Sequence, residues 1–482
     1  MNRLNRIQTN ATDTLAWIFL SDCSDPWLTA QKLSDLPHLL FLDSADRHPQ
    51  RGRHSYVTAD PLTWWQHQAE DRTIDDTLEH FHQLLHHNQL ERVPNLPPFQ
   101  TGLAGLFSYD LNRTFEKIPA PRWNEFATPA LAVGWYDWVL AWDHQNSENS
   151  DGCWLICSTL PGFRREISAA KRIQQVQAWL QRPCQPVKQP TFTKLLSEKD
   201  LAPTFPLELW GNVRSNFTPQ AFREIIQQGI EYTHAGDCFQ VNLAQRLLVP
   251  SAGPWQEIYG RLRQVNQAPF AGAFDLGHSQ ILSASPERFL AVNDRTIETR
   301  PIKGTRPVGG TSAENEKIVK ELLASPKDRA ENVMIVDLLR NDLGRVAAYG
   351  SIHVPEICQL ETYRYVHHLV SQVRATLAPE KSLIDLLRAT LPGGSVTGAP
   401  KVRAMEIIAE LEPTARGAYC GSLGFLSANG AMDTNILIRT FTYQAGWLQF
   451  PVGGGIVADS SPELEYQETL HKALGLLKVF VP

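Results

Sequence analysis

Short apolar runs separated by turn residues dominate the first part of the chain. The run Leu15–Leu20 (LAWIFL) follows Arg3 and Arg6, is shorter than a signal-peptide core and lacks a small-residue cleavage site, so it reads as a first strand. Residues 131–142 are apolar and aromatic, and a further run, 152–158, follows the polar turn 146–151. Helical spacing appears over 75–88 and 164–180. The signals sharpen later. Thr218-Pro219 combines a cap with proline at the first helical position; Phe222, Ile225, Ile226 and Ile230 then form a stripe, and Gly236 ends it. Asn429-Gly430 between alternating runs marks a tight hairpin. Ser461-Pro462 opens a last helix with Tyr466, Leu470, Ala473, Leu474 and Leu477 on one side. Hairpins mixed with helices, without regular βαβ units, predict the α+β class: antiparallel sheets with helices packed outside.

The stretch 181–206 holds Pro183, Pro186, Pro190, Pro203 and Pro206 without sustained periodicity, and reads as a connection between segments 1–206 and 207–482. At roughly 150 residues per domain, 482 residues allow two or three domains or one large one. With 43% hydrophobic and 20% charged residues, the composition excludes a disordered, collagen-like or coiled-coil chain. Lys plus Arg is 45 and Asp plus Glu 51, a net charge of −6 with no basic tract, which argues against nucleic acid as partner and against an electrostatic membrane anchor. No apolar run approaches the roughly 20 residues of a membrane-spanning helix. The cysteines, Cys23, Cys153, Cys157, Cys184, Cys238, Cys358 and Cys420, are odd in number and form no CxxC pair, so neither a disulfide framework nor a zinc cluster is expected, and the compartment reads as reducing and cytoplasmic. His82 and His86 are spaced i, i+4 beside His80 and His87, but Gln83 stands where a metal peptidase needs glutamate, so they read as a polar helix face.

Five stretches could carry chemistry. In Arg300-Pro301-Ile302-Lys303-Gly304-Thr305-Arg306-Pro307, after a strand at 295–299, Pro301 and Gly304 suggest an edge or bulge that a ligand can approach. Lys303 becomes a nucleophile only if desolvation or neighbouring cations lower its pKa; the plainer reading is a surface lysine in a turn. Glu287, after the apolar run 281–284 and beside Arg288, reads first as an ion pair and otherwise as a general acid. Residues 328–343 leave little polar face, so a buried helix is expected, in which Glu331 caps the helix or meets a cation or metal. Glu465 and Glu468 share a helix face beyond Gly453-Gly454-Gly455, an arrangement suited to a hard divalent cation or to plain solvation. The stretch 393–401 is no phosphate loop, because Ala399 stands where the lysine belongs; it reads as a glycine-rich turn opening a helix, with backbone N–H groups able to hold a carboxylate.

Together these stretches resemble one family. AGDCFQVNLAQR (235–246), SPERFL (285–290), TRPIKGTRP (299–307), DRAENVMIVDLLRNDLGRV (328–346), HHLVS (367–371), PGGSVTGAPKVRAMEII (392–408) and GGGIVADSSPELEYQET (453–469) run in order through nearly all of 218–482. LDSA (42–45), GLAGLFSYDL (102–111) and AVGWYDWVL (132–140) match more loosely. The set resembles the chorismate-utilising enzymes and, among them, the branch that aminates ring position 4. The resemblance implies one large α+β unit, with two extended antiparallel sheets packed as a sandwich, helices outside and the two segments intertwined. It implies that chorismate exchanges its 4-hydroxyl for an amino group on the way to p-aminobenzoate and folate. The ammonia would come from a separate glutamine amidotransferase subunit, since no glutaminase nucleophile motif is evident here, and Mg2+ would hold the ring carboxylate.

The resemblance also assigns roles. Lys303 matches a lysine that attacks ring position 2, and Glu287 the acid that protonates the departing hydroxyl. Glu331 and Glu468, with Glu465 nearby, match magnesium ligands. Gly304, Thr305, Tyr419, Arg439, Gly453, Gly454 and Gly455 match substrate-binding positions; His368 matches a histidine near the leaving hydroxyl, and Ser395 sits where relatives carry a polar hydroxyl. Anthranilate synthases resemble the chain throughout but carry alanine in place of Lys303 (PIAGT), and isochorismate and salicylate synthases carry a water-activating lysine in place of Gln240. Ser44, Arg53, Pro269 and Phe270 match an N-terminal pocket that holds L-tryptophan in some members, although the loop 46–54 departs in length. A packed core corner is the plain alternative for that pocket.

Overall fold

Two antiparallel sheets organise the chain, and both draw strands from both segments. The computed structural model describes residues 6–47, 51–145, 152–159, 167–183, 192, 194–207, 210–362 and 366–480. Cys184, Pro186, Pro190 and the turn 146–151 therefore lie outside the described residues, as does part of the loop 46–54. Among the described residues the larger sheet has 14 strands and the smaller 10. In the larger sheet Leu40–Asp43 pairs with Phe270–Asp275, and in the smaller Gly102–Phe107 pairs with Ser422–Ser427, so early and late parts of the chain are neighbours in each. The expected hairpin joins Ser422–Ser427 to Met432–Asn435.

The sheets meet face to face through aromatic side chains. Tyr56 of the larger sheet stands 5.4 Å from Phe425 of the smaller, and Phe274 of the larger stands 5.8 Å from Trp64 of the smaller. The other face of the larger sheet is covered by the helices Pro26–Lys32, Ala169–Leu180, Trp255–Val265 and Pro462–Leu477, through Trp27, Ile173, Tyr259 and Ala473 among others. Thr218 caps the helix Pro219–His234 by accepting from the Ala221 N–H, and its stripe of isoleucines is buried.

The structure departs from the sequence pattern at three places. The apolar run 131–142 is two strands, Leu131–Tyr136 in the smaller sheet and Trp138–Asp143 in the larger. The chain changes sheets at Asp137, a buried carboxylate that accepts from the Arg172 Nη2 at 3.1 Å. Breaking such a buried pair strands a charge, so the corner is fixed by a partner distant in sequence. The helix Pro326–Gly344 is not wholly buried: Ile335, Val336, Leu339 and Leu343 are, but Val333 is 45% exposed and Asp337 and Arg340 face solvent. It packs against the strands Ile302–Pro307, His353–Thr362 and Val366–Thr376 and the helix Leu383–Thr390, and the face that carries Val333, Asp337 and Arg340 is left open. In the last helix Leu474 points outward and Leu476 is buried in its place. Among the described residues the cysteines are free and no helix is long and apolar enough to cross a membrane.

Candidate active site

The site begins at a sheet edge. Among the described residues Ile302–Pro307 pairs only with Val366–Thr376, and it carries a bulge between Lys303 and Thr305. Gly304 makes the bulge at φ +69°, where a side chain would be strained and its Cβ would come within 3.1 Å of Asp328 and Leu322. Arg306 clamps the strand to the helix Pro326–Gly344 through a 2.8 Å contact with Asp328, one turn before Glu331.

The bulge brings Lys303 to the larger sheet. Its Nζ donates to Gln240 Oε1 at 3.4 Å, at the start of the strand Gln240–Pro250. Gln240 is fully buried and its Nε2 has no hydrogen-bond partner among the described residues. Desolvation pushes the Lys303 amine below its ordinary value, although Glu331, Glu287 and Glu468 pull it back. A larger share of neutral amine follows, which is the form that attacks carbon.

Glu287 lies between the strands Ser279–Ser285 and Arg288–Asn293. Arg288 turns the other way, to Asp433 at 2.9 Å, so the adjacent ion pair suggested by sequence does not form. Glu287 is 7% exposed, and burial pushes its carboxyl up to about 7, against the opposing effects of the Ser395 hydroxyl donating to Oε1 at 2.8 Å and of Lys303. Near neutrality it can both give and take a proton. The turn at 393–401 opens the helix Lys401–Leu411 as expected, but it meets Glu287 through the Ser395 hydroxyl and not through a backbone N–H.

On the neighbouring strand Thr305 Oγ1 and His368 Nδ1 lie 2.8 Å apart. Burial, then the Arg439, Arg51 and His367 charges, push His368 down to about 3, so it is neutral at physiological pH and serves as a hydrogen-bonding group. Arg439, at φ +51°, has no ion-pair partner among the described residues, and desolvation alone lowers its pKa. A buried-facing guanidinium in that state is ready for a ligand carboxylate. Tyr419 is buried, 5.7 Å from the Arg416 guanidinium.

Gly453, Gly454 and Gly455 lie in Trp447–Ile456, opposite Ala244, Leu243 and Asn242. A Cβ on Gly454 would stand 3.1 Å from Glu465 Oε2 and 3.7 Å from Glu468 Oε1, so glycine leaves these carboxylates room over the strand. Burial raises the Glu465 carboxyl, and the Glu468 charge adds to that. Glu468 is exposed and meets Lys472 Nζ at 2.7 Å; Glu331 meets Lys327 at 3.9 Å. Lys472 also donates to the Gly453 carbonyl at 2.8 Å. Among the described residues no three carboxylate, histidine or cysteine side chains already converge as a metal site.

Ser44, Arg53, Pro269 and Phe270 come together elsewhere, around a cavity with about 500 Å³ of empty space. Tyr56, Phe425 and Arg288 also line it. Ser44 Oγ donates to the His54 carbonyl at 2.6 Å, Arg53 grips Asp143 through two contacts of 2.7 and 2.9 Å, and the Arg288 guanidinium lies 4.8 Å from the Phe270 ring.

The sequence reading missed Lys472, Lys327 and Arg51. The two lysines are i, i+4 partners of expected ligands, so helical spacing could have found them. Arg51 reaches Glu361 at 2.6 Å, and Glu361 also holds Arg300 at 2.6 Å; nothing local in the sequence signals that link.

A model of the chorismate binding enzymes matches residues 40–478. The chain is 42% identical over 458 residues to aminodeoxychorismate synthase component 1 of Escherichia coli (strain K12), covering 93% of this chain and 94% of that one. It is 41% identical over 392 residues to anthranilate synthase component 1 of Thermus thermophilus, covering 81% and 79%. Among solved structures, anthranilate synthase component I from Streptococcus pneumoniae superposes with a TM-score of 0.72 at 30% identity, covering 89% of this chain and 93% of that one.

Proposed function

The chain belongs to the chorismate binding enzymes, and from that premise we propose that it replaces the 4-hydroxyl of chorismate by an amino group, through a transient bond to Lys303. Overall identity does not separate this reaction from anthranilate formation, since relatives of both kinds stand near 41%. The observation that carries the choice is Lys303 itself: a desolvated amine on a bulged edge, with a proton-donating carboxyl close by.

In this reading Arg439 and the backbone N–H groups around Gly453 to Gly455 orient the substrate carboxylates. Neutral Lys303 bonds to ring carbon 2, the diene electrons shift, and the bond from carbon 4 to its hydroxyl breaks. Glu287 gives its proton to the leaving oxygen, which departs as water. Ammonia then bonds to carbon 4, the electrons shift back, Lys303 leaves carbon 2 as the neutral amine, and the Glu287 carboxylate takes up the proton that the new ammonium group sheds. Splitting the substitution in two spares ammonia a direct displacement of hydroxide. Gln240 offers no base to activate water, so the amine is the nucleophile that succeeds.

Glu331, Glu465 and Glu468 would hold magnesium. An all-oxygen donor set suits a hard cation, and each outer carboxylate is now faced by a lysine whose charge a cation would replace. When bound, the ion supplies positive charge for the ring carboxylate. Ammonia would reach the chain from a glutamine amidotransferase partner, and the Ser44–Phe270 cavity, with aromatic walls and paired charges, would hold tryptophan.

Purified chain given chorismate, magnesium and ammonium is expected to yield 4-amino-4-deoxychorismate by mass spectrometry. Anthranilate as the main product would overturn the reading.

A further inference from the structure

A glutamine is an unfavourable way to fill a core position, because both ends of its amide need partners. Gln240 is fully buried; its Oε1 accepts from Lys303 Nζ at 3.4 Å, while its Nε2 has no hydrogen-bond partner among the described residues. An apolar side chain of the same length would fill the space without leaving a donor unmet. Packing therefore does not explain the amide, whose side-chain hydrogen bond goes to the amine.

The surroundings leave Gln240 little freedom. The Phe239 N–H donates to the Ala399 carbonyl and the Asn242 N–H to the Thr397 carbonyl, each at 2.7 Å, so the start of the strand Gln240–Pro250 is tied to the turn 393–401. A Cβ on Gly398 would stand 2.1 Å from the Gln240 carbonyl oxygen. One on Gly455 would stand 3.0 Å from the Cδ, 3.1 Å from the Nε2 and 3.2 Å from the Oε1 of its amide. Glycine at both places lets the neighbouring backbone close on the residue from two sides. The same turn carries Ser395, whose hydroxyl holds Glu287. One turn thus sets the amine, through Gln240, and the acid, through Ser395.

A lysine attacks with its lone pair, so it must be neutral and must aim that pair at carbon. Donating one N–H to Oε1 turns the lone pair away from Gln240. A carboxylate in the same place would also hold the amine, but its charge would favour the ammonium form. An uncharged acceptor orients the amine without keeping it protonated.

We propose that Gln240 is a positioning residue for the Lys303 amine, an uncharged acceptor held in line by the turn 393–401. The inference rests on the covalent amination reading and deepens it.

The test follows adduct formation in the full chain, with chorismate and magnesium and without ammonia, by mass spectrometry of samples quenched across a range of pH. In Gln240→Met the rate is expected to fall about tenfold or more, because the amine is no longer aimed. The chorismate concentration that gives half the maximal rate should stay within about twofold. The melting temperature should equal or exceed that of the unaltered chain, since the unmet amide group is gone. Gln240→Glu keeps the shape and adds a charge. The rate needs neutral Lys303 and protonated Glu287, so it peaks between their two pKa values. A carboxylate beside the amine raises the lysine value, and the pH of maximal rate should move up by about half a unit or more. A folded Gln240→Met chain with an unchanged adduct rate overturns the proposal. So does one that loses adduct formation and melting temperature together, the mark of a glutamine that only packs. If Gln240→Met does not fold, Gln240→Glu decides, and a pH maximum that stays in place overturns the proposal. An unaltered chain that forms no Lys303–ring adduct overturns the covalent reading itself, before any variant is compared.

Discussion

The Ser44–Phe270 cavity is walled by both segments and the Lys303 site is built from groups of the second, and the two treat charge in opposite ways. In the cavity every arginine is matched: Arg53 by Asp143, and Arg288 by Asp433 and the Phe270 ring. Around Lys303 the groups are left in tension. The amine is desolvated, Glu287 sits near 7, and Arg439 has no carboxylate partner among the described residues. Matched charges around aromatic walls hold something without changing it. Groups held away from their ordinary protonation can exchange protons and bond to carbon.

The contrast can be broken most forcefully at Lys303. Lys303→Ala is expected to abolish any trapped protein–ring adduct and to lower amination on the order of a thousand-fold, about 4 kcal/mol of barrier. Unchanged turnover would remove the covalent route. Glu287→Gln comes next, with a loss of about a hundred-fold or more in adduct formation and chorismate binding retained.

The Glu287 carboxyl must be protonated to act on the hydroxyl, so the rate of adduct formation should fall as pH rises through about 7. The Ser395 hydroxyl favours the charged form of Glu287. Ser395→Ala should therefore move that alkaline limb to higher pH, and a limb that stays in place would separate it from Glu287. Glu468→Gln should raise the magnesium needed to shift the melting temperature by about tenfold, since one anionic ligand is lost; an unaltered magnesium titration would clear that residue.

The smallest effect belongs to the cavity. Phe270→Ala should lower stability by about 2 kcal/mol with KM for chorismate unmoved, read by thermal melting and initial rates. Added tryptophan should raise the melting temperature of the unaltered chain and not that of the variant.

Much of the site could be read from the chain because its groups sit in short runs with strong local rules. Pro301 and Gly304 announce a bulged edge, and the bulge is there with Lys303 on it. The GGG run and the Glu465–Glu468 spacing place two carboxylates over a strand, and they lie over Gly454. What was not legible has one cause. The break within the run 131–142 goes unsignalled because nothing local says that Asp137 has Arg172 to meet, and 328–343 looks wholly buried because apolar content does not say how many sides of a helix will be covered.

The sequence by itself determined the kinds of element, the edge that carries the amine and the carboxylates that surround it, because strand and helix periods and turn chemistry act over a few residues. Only the tertiary structure decided which of those groups are out of balance. The 3.4 Å approach of Lys303 to Gln240, the raised Glu287 and the Arg439 guanidinium without an ion-pair partner among the described residues all depend on which segments exclude water from one another. Desolvation is a property of neighbours in space, and those neighbours lie up to hundreds of positions apart in the chain.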